Sequence, residues 1–409
     1  MSDAPTIPDA AARDKSMRPA GSLAWGVGIG YRSCIHQEVM ASRADIDFLE
    51  IPAEDYVDAT RRKYSDPGET RLKEAIAHYP VVAHGTDVSV GSAEPAPADY
   101  VDRVVRFLQR VPAGEYSEHL TCTRAGKERV NAFIAIPFTD LGVAATVANA
   151  RRLARRVGLP FLLENVCYHF AIPGASMREE EFLKRVVMEA DCGILLDITN
   201  VFINASNHHY DPRAFIGALP AERILQSHYC GVMHTRQGYL LDTHSEITPP
   251  EVWSLIDDTL ASTDLRALIL ERDSEFFPWE PMLNEIKLAR QIFKKHRPTT
   301  PPAMLRAFAP CDGTQPNDSE DSYSKELAHF QEVLMSLLLE EELAKAVDRE
   351  GESALRHTGL GKEERKYLAA IPVKKRDYLG ATIRSDREYE RKQEEERFRE
   401  EMAQWARVR

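Results

Sequence analysis

The chain reads as a (β/α)8 barrel of the TIM type followed by a small all-helical C-terminal domain. Three observations carry that reading. Eight short apolar segments, at 26–30, 46–51, 80–84, 116–120, 160–164, 193–197, 224–228 and 267–271, have the length and composition of strands buried on both faces. Between them lie segments with apolar residues at three- and four-residue spacing, so strand and helix alternate. The alternation occupies about 275 residues, the usual span of such a barrel.

Taken in order, residues 1–22 are rich in Ala, Pro and Asp without periodicity and are expected to form a flexible tail. The barrel is expected over 23–298. Its first strand, GVGIG, runs into YRS without the glycine spacing of a dinucleotide loop, which sets aside an open doubly wound sheet. IDFLEI and PVVAH are the second and third strands, joined by a helix over 66–78. ADYVDRVVRFLQRV predicts a helix over 98–111 ahead of the fourth strand, YSEHL. Thr139 and Asp140 open a helix over 139–157, and PFLLE is the fifth strand. A helix over 178–190 leads to GILLD; ILQSH follows, then a helix opened by Pro249-Pro250, then ALILE. The last barrel helix spans 279–296. Residues 299–323 have the Pro, Thr, Asp and Ser content of a linker. Over 324–409 the character changes: helices are predicted at 325–347, 360–371 and 386–408, the last a Glu- and Arg-rich solvated helix.

Hydrophobic residues at 43% and charged residues at 28% fit a globular protein of 409 residues. A formal net charge of -12 repels phosphate backbones and acidic lipids, so neither nucleic acid nor a membrane is expected as a partner. There is no apolar run of membrane-spanning length and no signal-peptide core, and a cytoplasmic location is the expectation. The six cysteines, Cys34, Cys122, Cys167, Cys192, Cys230 and Cys311, are scattered with no CxxC pair and read as reduced thiols, mostly core.

The chemistry sits at the strand ends. His84, His119, Glu164, Asp197, His228 and Glu271 each close or immediately follow a strand, and carboxyl ends of barrel strands converge on one mouth. Asp242 and His244, two apart in LLDTHSE, project from one side of an extended segment and join them. Asn165 and Asn200 sit beside these positions as ligands or orienting groups. A single such histidine is ordinarily hydrogen-bonded structure, and a single buried carboxylate ordinarily meets an arginine. Eight on one rim repel one another unless cations lie between them. Imidazole and carboxylate without a positioned thiolate favour iron, manganese or zinc over calcium. The ligand number exceeds what one ion needs, so two or three ions are expected, with Glu164 or Asp242 as a bridge. His36 and Glu54 are further candidates to line the cavity as catalytic groups, and Asp273, two beyond Glu271, as a base or substrate contact. His208 and His209 read as loop surface, His234 as a gating residue, and His78, His296, His329 and His357 as helix surface. Ligand types alone leave open a redox iron cluster and a zinc or manganese barrel that hydrolyses phosphodiesters or isomerises sugars.

GVGIGYRSCIHQ, DFLEIPAEDY, VVAHGTDVSVGS, YSEHL, LLEN, LLDITNVFINASNH, SHYCGV, LLDTHSE and LILERD, in this order over 24–296, resemble the successive signatures of the multinuclear non-haem iron-dependent oxidative enzymes. The resemblance implies two or three iron ions, ferrous and ferric, at the barrel mouth. It implies dioxygen as co-substrate and modification of side chains, often cysteine, of a ribosomally made precursor peptide. It implies iron ligation by His84, His119, Glu164, His228, Asp242, His244 and Glu271; Asp197 and Asn200 match the ligand pattern less closely, and Asp273 matches a pocket residue assisting proton transfer. Cys34 has no counterpart in that pattern. Many members of that family act with a small separate partner protein that holds the leader of the precursor. The fused helices of 324–409 are expected to take that leader-binding role, with a structural appendage as the alternative.

Overall fold

The computed structural model describes residues 21–57, 68–235, 238–302, 304–308, 324–388 and 392. In chain order its strands are β1 (Gly26–Gly30), β2 (Phe48–Pro52), β3 (Val81–Gly85), β4 (Ala113–His119), β5 (Cys122–Ala125) and β6 (Glu128–Ile134). They continue as β7 (Phe161–Glu164), β8 (Gly193–Asp197), β9 (Ile224–Tyr229), β10 (Val232–His234), β11 (Leu240–Asp242) and β12 (Ala267–Leu270). Eight of them close a parallel barrel in the order β1-β12-β9-β8-β7-β4-β3-β2, while β5–β6 and β10–β11 form two antiparallel hairpins. All eight predicted barrel strands are present. The hairpins were not anticipated, since in each at least one strand has only three or four residues, too short to display a two-residue period in sequence.

Period-two alternation fills the barrel and sets out the site in one pattern. Phe48, Val82, Leu162, Leu195 and Ile269 share one buried apolar cluster. The residue two further along each segment points the same way, and at those places stand Glu50, His84, Glu164, Asp197 and Glu271, all buried. Beneath His119 and His228 on their strands, Glu115 and Gln226 meet, with the Gln226 amide donating to Glu115 at 2.9 Å. Arg266 pairs with the same carboxylate, so this buried charge is neutralised. Outward-facing Val27, Ile29, Leu49, Leu163 and Ile194 pack with Val104, Phe107, Val186 and Ile286 of the surrounding helices into the largest apolar core. Thr139 caps the Asp140–Val157 helix by accepting from Gly142 N–H at 3.2 Å, and Gly158 at φ 69 ends it, as its sequence position requires.

The C-terminal helices are built against the barrel mouth. The helix expected over 325–347 is two, Lys325–Leu339 and Glu341–Glu350, broken where Glu340 is extended. The helix expected over 360–371 spans Lys362–Ala369, and residues 373–388 form another that begins well before the predicted 386. Most of 386–408, the 1–20 part of the tail and most of the 299–323 segment lie outside the described residues. The described part of that segment closes the barrel floor: Phe308 C=O accepts from Phe161 N–H at 2.9 Å, and Arg306 C=O from the Arg266 guanidinium at 2.7 Å. Leu334, Leu337, Leu338, Leu355, Leu368 and Ile383 share a core with Ile134, Tyr168, Phe170 and Ile172. Those partners belong to the β5–β6 hairpin and to the segment after β7, both of which stand over the carboxyl ends of strands. Gln331 reaches from the first of these helices to accept from Ala93 N–H at 2.7 Å and donate to Gly91 C=O at 2.9 Å.

Candidate metal centre

Glu164 lies at the middle of the mouth. Its Oε2 is 3.0 Å from His84 Nε2 and 3.2 Å from His119 Nε2, and its Oε1 is 2.9 Å from His228 Nδ1. Each imidazole is steered from its other nitrogen. Gly85 C=O accepts from His119 Nδ1 at 2.9 Å, and His84 Nδ1 meets the Ser117 hydroxyl at 2.8 Å. Glu50 takes His228 Nε2 between both oxygens, at 3.0 and 2.9 Å. Outward hydrogen bonds of this kind fix ring orientation and leave the inner nitrogen for a cation.

Glu271 and Asp197 extend the cluster. Glu271 Oε2 is 2.9 Å from His228 Nδ1 and 3.6 Å from His244 Nε2. Asp197 caps the Ile198–His208 helix by accepting from Asn200 N–H at 2.8 Å, and its carboxyl also takes the Asn200 amide at 3.0 Å. Asn165 brackets Asp197 by bonding both its backbone groups, so these two asparagines are explained first as the posts that hold Asp197. On the far side Asp242 Oδ1 is 2.7 Å from His244 Nε2, and Asp273 Oδ2 is 2.9 Å from His244 Nδ1. His244 adopts φ 48, the left-handed region in which a non-glycine residue is strained, so the fold holds this ring where it is at some cost.

Four overlapping sets of ligand atoms each draw within 4.8 Å: His84, Glu164 and His228; Glu164, Asp197, His228 and Glu271; His244, Glu271 and Asp273; and Cys230, Asp242 and His244. Sequence-predicted His84, Glu164, Asp197, His228, Asp242, His244, Glu271 and Asp273 are thus brought together, and His119 joins through Glu164. Asn200 contributes a buried Oδ1 that no hydrogen bond satisfies.

The charge balance asks for cations. Glu50, Glu164, Asp197, Asp242, Glu271 and Asp273 face His84, His119, His228 and His244, with Arg32 on Asp273. Burial pushes Asp197 well above the usual carboxylate range, and Asp242 and Glu164 push it further. Burial works the same way on Glu164, but the His119, His228 and His84 imidazoles outweigh it and hold that group well below the range. Burial alone would lower His228; Glu271, Glu50 and Glu164 overcome it and raise the imidazole well above its ordinary value. Without metal, then, the cluster neutralises itself with protons. Yet His84 Nε2, Glu164 Oε2, His244 Nε2 and Glu271 Oε2 are buried atoms whose close approach lacks hydrogen-bond geometry. Lone pairs crowded toward a common point are what a bound cation resolves, and the donor set of imidazoles and carboxylates fits iron, manganese or zinc.

Two of the candidate catalytic groups lie outside the ligand clusters, and one expected loop residue is helical. His36 is not among the clustered ligand atoms: its Nδ1 meets Tyr31 Oη at 2.9 Å and its Nε2 meets Glu74 at 3.1 Å. Glu54 is also apart, accepting from Asp87 N–H and Tyr100 Oη through Oε1. Both sit just past a barrel strand in sequence, but the backbone has turned into a helix and redirects the side chains. His208 is no loop residue: it ends the Ile198–His208 helix and stacks on Tyr168 with ring centres 4.5 Å apart. Sequence reasoning missed Glu50, Arg32 and Cys230. Glu50 was legible, since FLEI places a carboxylate two after Phe48 as LLE does after Leu162; Arg32 joins only through its 2.7 Å contact with Asp273, 241 positions away.

Fold and site together define a (β/α)8 barrel with a carboxylate–imidazole centre at its mouth. Residues 26–294 match the model of the family described as RiPP precursor modification enzyme MbnB/TglH/ChrH, and the chain belongs to that family. The multinuclear non-haem iron family indicated by the motifs is the same one, so the resemblance is borne out. Similar proteins include a UPF0276 protein of Anaeromyxobacter sp. (strain Fw109-5), 32% identical over 65% of this chain and 92% of that one. A UPF0276 protein of Shewanella oneidensis is 34% identical over 64% of this chain and 91% of its own length. Among solved structures, D-psicose 3-epimerase of Clostridium cellulolyticum H10 is similar at 12% identity and a TM-score of 0.39, over 66% of this chain and 96% of that chain. No helix among the described residues is long and apolar enough to cross a membrane.

Proposed function

We propose that this chain is an iron-dependent oxidoreductase that uses dioxygen to modify a cysteine, or another side chain, of a ribosomally synthesised precursor peptide. The observation that carries the reading is the set of buried inward atoms of His84, Glu164, His244 and Glu271, which approach one another without hydrogen bonds, in a member of a precursor-modifying family. Two or three iron ions held by His84, His119, Glu164, Asp197, Asn200, His228, Asp242, His244 and Glu271 would supply electrons to dioxygen and an electrophilic seat for a substrate thiol. Glu164 turns one oxygen toward His84 and His119 and the other toward His228, and would hold iron together with these three imidazoles. Arg32 and His244 hold the Asp273 carboxyl well below the usual range, so Asp273 would stand ionised beside His244 as a proton acceptor. A ribosomal substrate places the reaction in the cytoplasm.

The peptide seat we assign to the lip formed by the β10–β11 hairpin and the 373–388 helix. Met233, Tyr239, Val373 and Tyr378 leave large apolar surfaces exposed there, and Lys375 lies over the Tyr239 ring at 5.2 Å. Leader binding by the C-terminal helices is part of the same proposal; no separate partner protein is then required.

The test is anaerobic purification with metal analysis, followed by aerobic incubation with a synthetic library of cysteine-containing peptides. Two to three irons per chain and an oxygen-dependent change in peptide mass are expected. Stoichiometric zinc or manganese without iron, with turnover of a phosphodiester or a sugar, would overturn the reading. Tyr378→Ala and Val373→Ala should weaken peptide binding about tenfold while leaving the metal content unchanged. Unchanged affinity would remove the leader-binding role.

A further inference from the structure

Cys230 is fully buried and lies two residues beyond His228, on the same side of an extended chain. The β10–β11 hairpin pairs Val232 with Asp242, and continuing that register by two residues sets Cys230 opposite His244. Gly231 makes the approach possible: a Cβ there would stand 2.0 Å from Glu246 C=O, so only glycine lets the segment after His244 come this near. Cys230 Sγ is 4.0 Å from Asp242 Oδ1, and the ligand atoms of Cys230, Asp242 and His244 all fall within 4.8 Å of one another. A thiolate and a carboxylate bound to one tetrahedral ion sit roughly 3.5 Å apart, given metal–sulfur and metal–oxygen distances near 2.3 and 2.0 Å. The fold therefore presents this trio at close to ligating separation. Within the trio His244 Nε2 is a buried atom without a hydrogen bond, 2.7 Å from Asp242 Oδ1, and Glu271, 6% exposed, stands beside it with an Oε2 2.9 Å from His228 Nδ1 and 3.6 Å from His244 Nε2.

We propose that Cys230 is a metal ligand, giving the cation held by Asp242 and His244 a thiolate that the Glu164 side of the centre lacks. The inference rests on the metal-centre reading above and divides its positions into two kinds. The ion among His84, His119, Glu164 and His228 has nitrogen and oxygen donors only. The ion at Asp242 and His244 has sulfur, nitrogen and oxygen, with Glu271 between the two. On binding, the Cys230 S–H bond breaks, an S–metal bond forms, the proton leaves to solvent, and no oxidation state changes. An anionic thiolate gives its cation more negative charge than a neutral imidazole does, so the two kinds of site would differ in potential before any substrate arrives.

Cobalt(II) tests this with the full chain. Metal-free protein is titrated with cobalt without air, and the near-ultraviolet thiolate-to-cobalt charge-transfer band is followed beside the visible d–d bands. The band is expected to reach the intensity of one thiolate, to vanish in Cys230→Ser and Cys230→Ala, and to persist in Cys167→Ala. X-ray absorption of the cobalt-loaded wild type should contain a sulfur neighbour at about 2.3 Å, which decides the matter even where a variant fails to fold. Visible bands with neither charge transfer nor a sulfur neighbour would overturn the thiolate and leave the metal centre standing. Loss of the band in Cys167→Ala, with retention in Cys230→Ser, would move the ligand to the wrong cysteine and overturn it as well. No cobalt uptake at all would overturn both readings.

Discussion

Asp273 Oδ2 stands 2.9 Å from His244 Nδ1 while its Oδ1 is held by Arg32 at 2.7 Å. The arginine fixes the carboxylate, the carboxylate fixes the imidazole, and Nε2 of His244 is left pointing at Asp242. An aspartate in this position raises ligand basicity and locks the ring. Asp273→Ala should therefore weaken metal binding by about 10–100-fold with the barrel still folded. Competition titration against a chelator measures it, and wild-type affinity in the variant would refute the orienting role.

Chelation should lower thermal stability. With ions gone, the protons favoured on Asp197 and on the His228 imidazole are what offsets the crowding of charge. A ligand at a hundred times its dissociation constant contributes about 2.7 kcal/mol, so the Tm of a chain of 409 residues should fall by roughly 3 °C. Calorimetry before and after removal and re-addition of metal checks this; coincident curves would mean that the cluster needs no cation.

Glu179 gives a pH signature away from the metal ligands. Burial pushes its carboxyl from 4.5 up to about 8, although Tyr168 Oη donates to it at 2.8 Å. The folded chain binds this proton more tightly than the unfolded chain. Its contribution is therefore complete below pH 4.5 and is lost as pH rises through about 8. Glu179→Gln removes the loss, so its Tm relative to wild type should climb between about pH 5 and about pH 9. A difference that stays flat or falls would contradict the assignment.

Gln331 should anchor the C-terminal helices to the mouth. Its amide satisfies Ala93 N–H and Gly91 C=O, both in the segment after β3. Gln331→Met leaves two inward backbone groups without partners, at about 1–3 kcal/mol each. A lower denaturant midpoint is expected in equilibrium unfolding, and a midpoint equal to wild type would show that the segment is held by apolar packing alone.

Much of this was legible from residues. A period of two in FLLE, GILLD and LILE states both that the strand is buried and that the group two past its plug residue faces the mouth. His36 and Glu54 stand outside the ligand clusters because they lie in helices after β1 and β2, where helical direction replaces strand alternation. Cys230 looked like a core thiol because its neighbours in SHYCGV are apolar or small. Its closeness to Asp242 is made by a hairpin whose three-residue strands leave no pattern to read.

The sequence by itself determined the barrel, the identity of most groups at its mouth and their excess of carboxylate over cation, because alternation and composition are local properties. Tertiary structure alone decided which ring each carboxylate steers, that Arg32 and Cys230 belong to the site, and that the C-terminal helices are packed into the rim. Those are contacts between residues tens to hundreds of positions apart. They are set by barrel closure and by the shapes of loops, and nothing in the local chain encodes them.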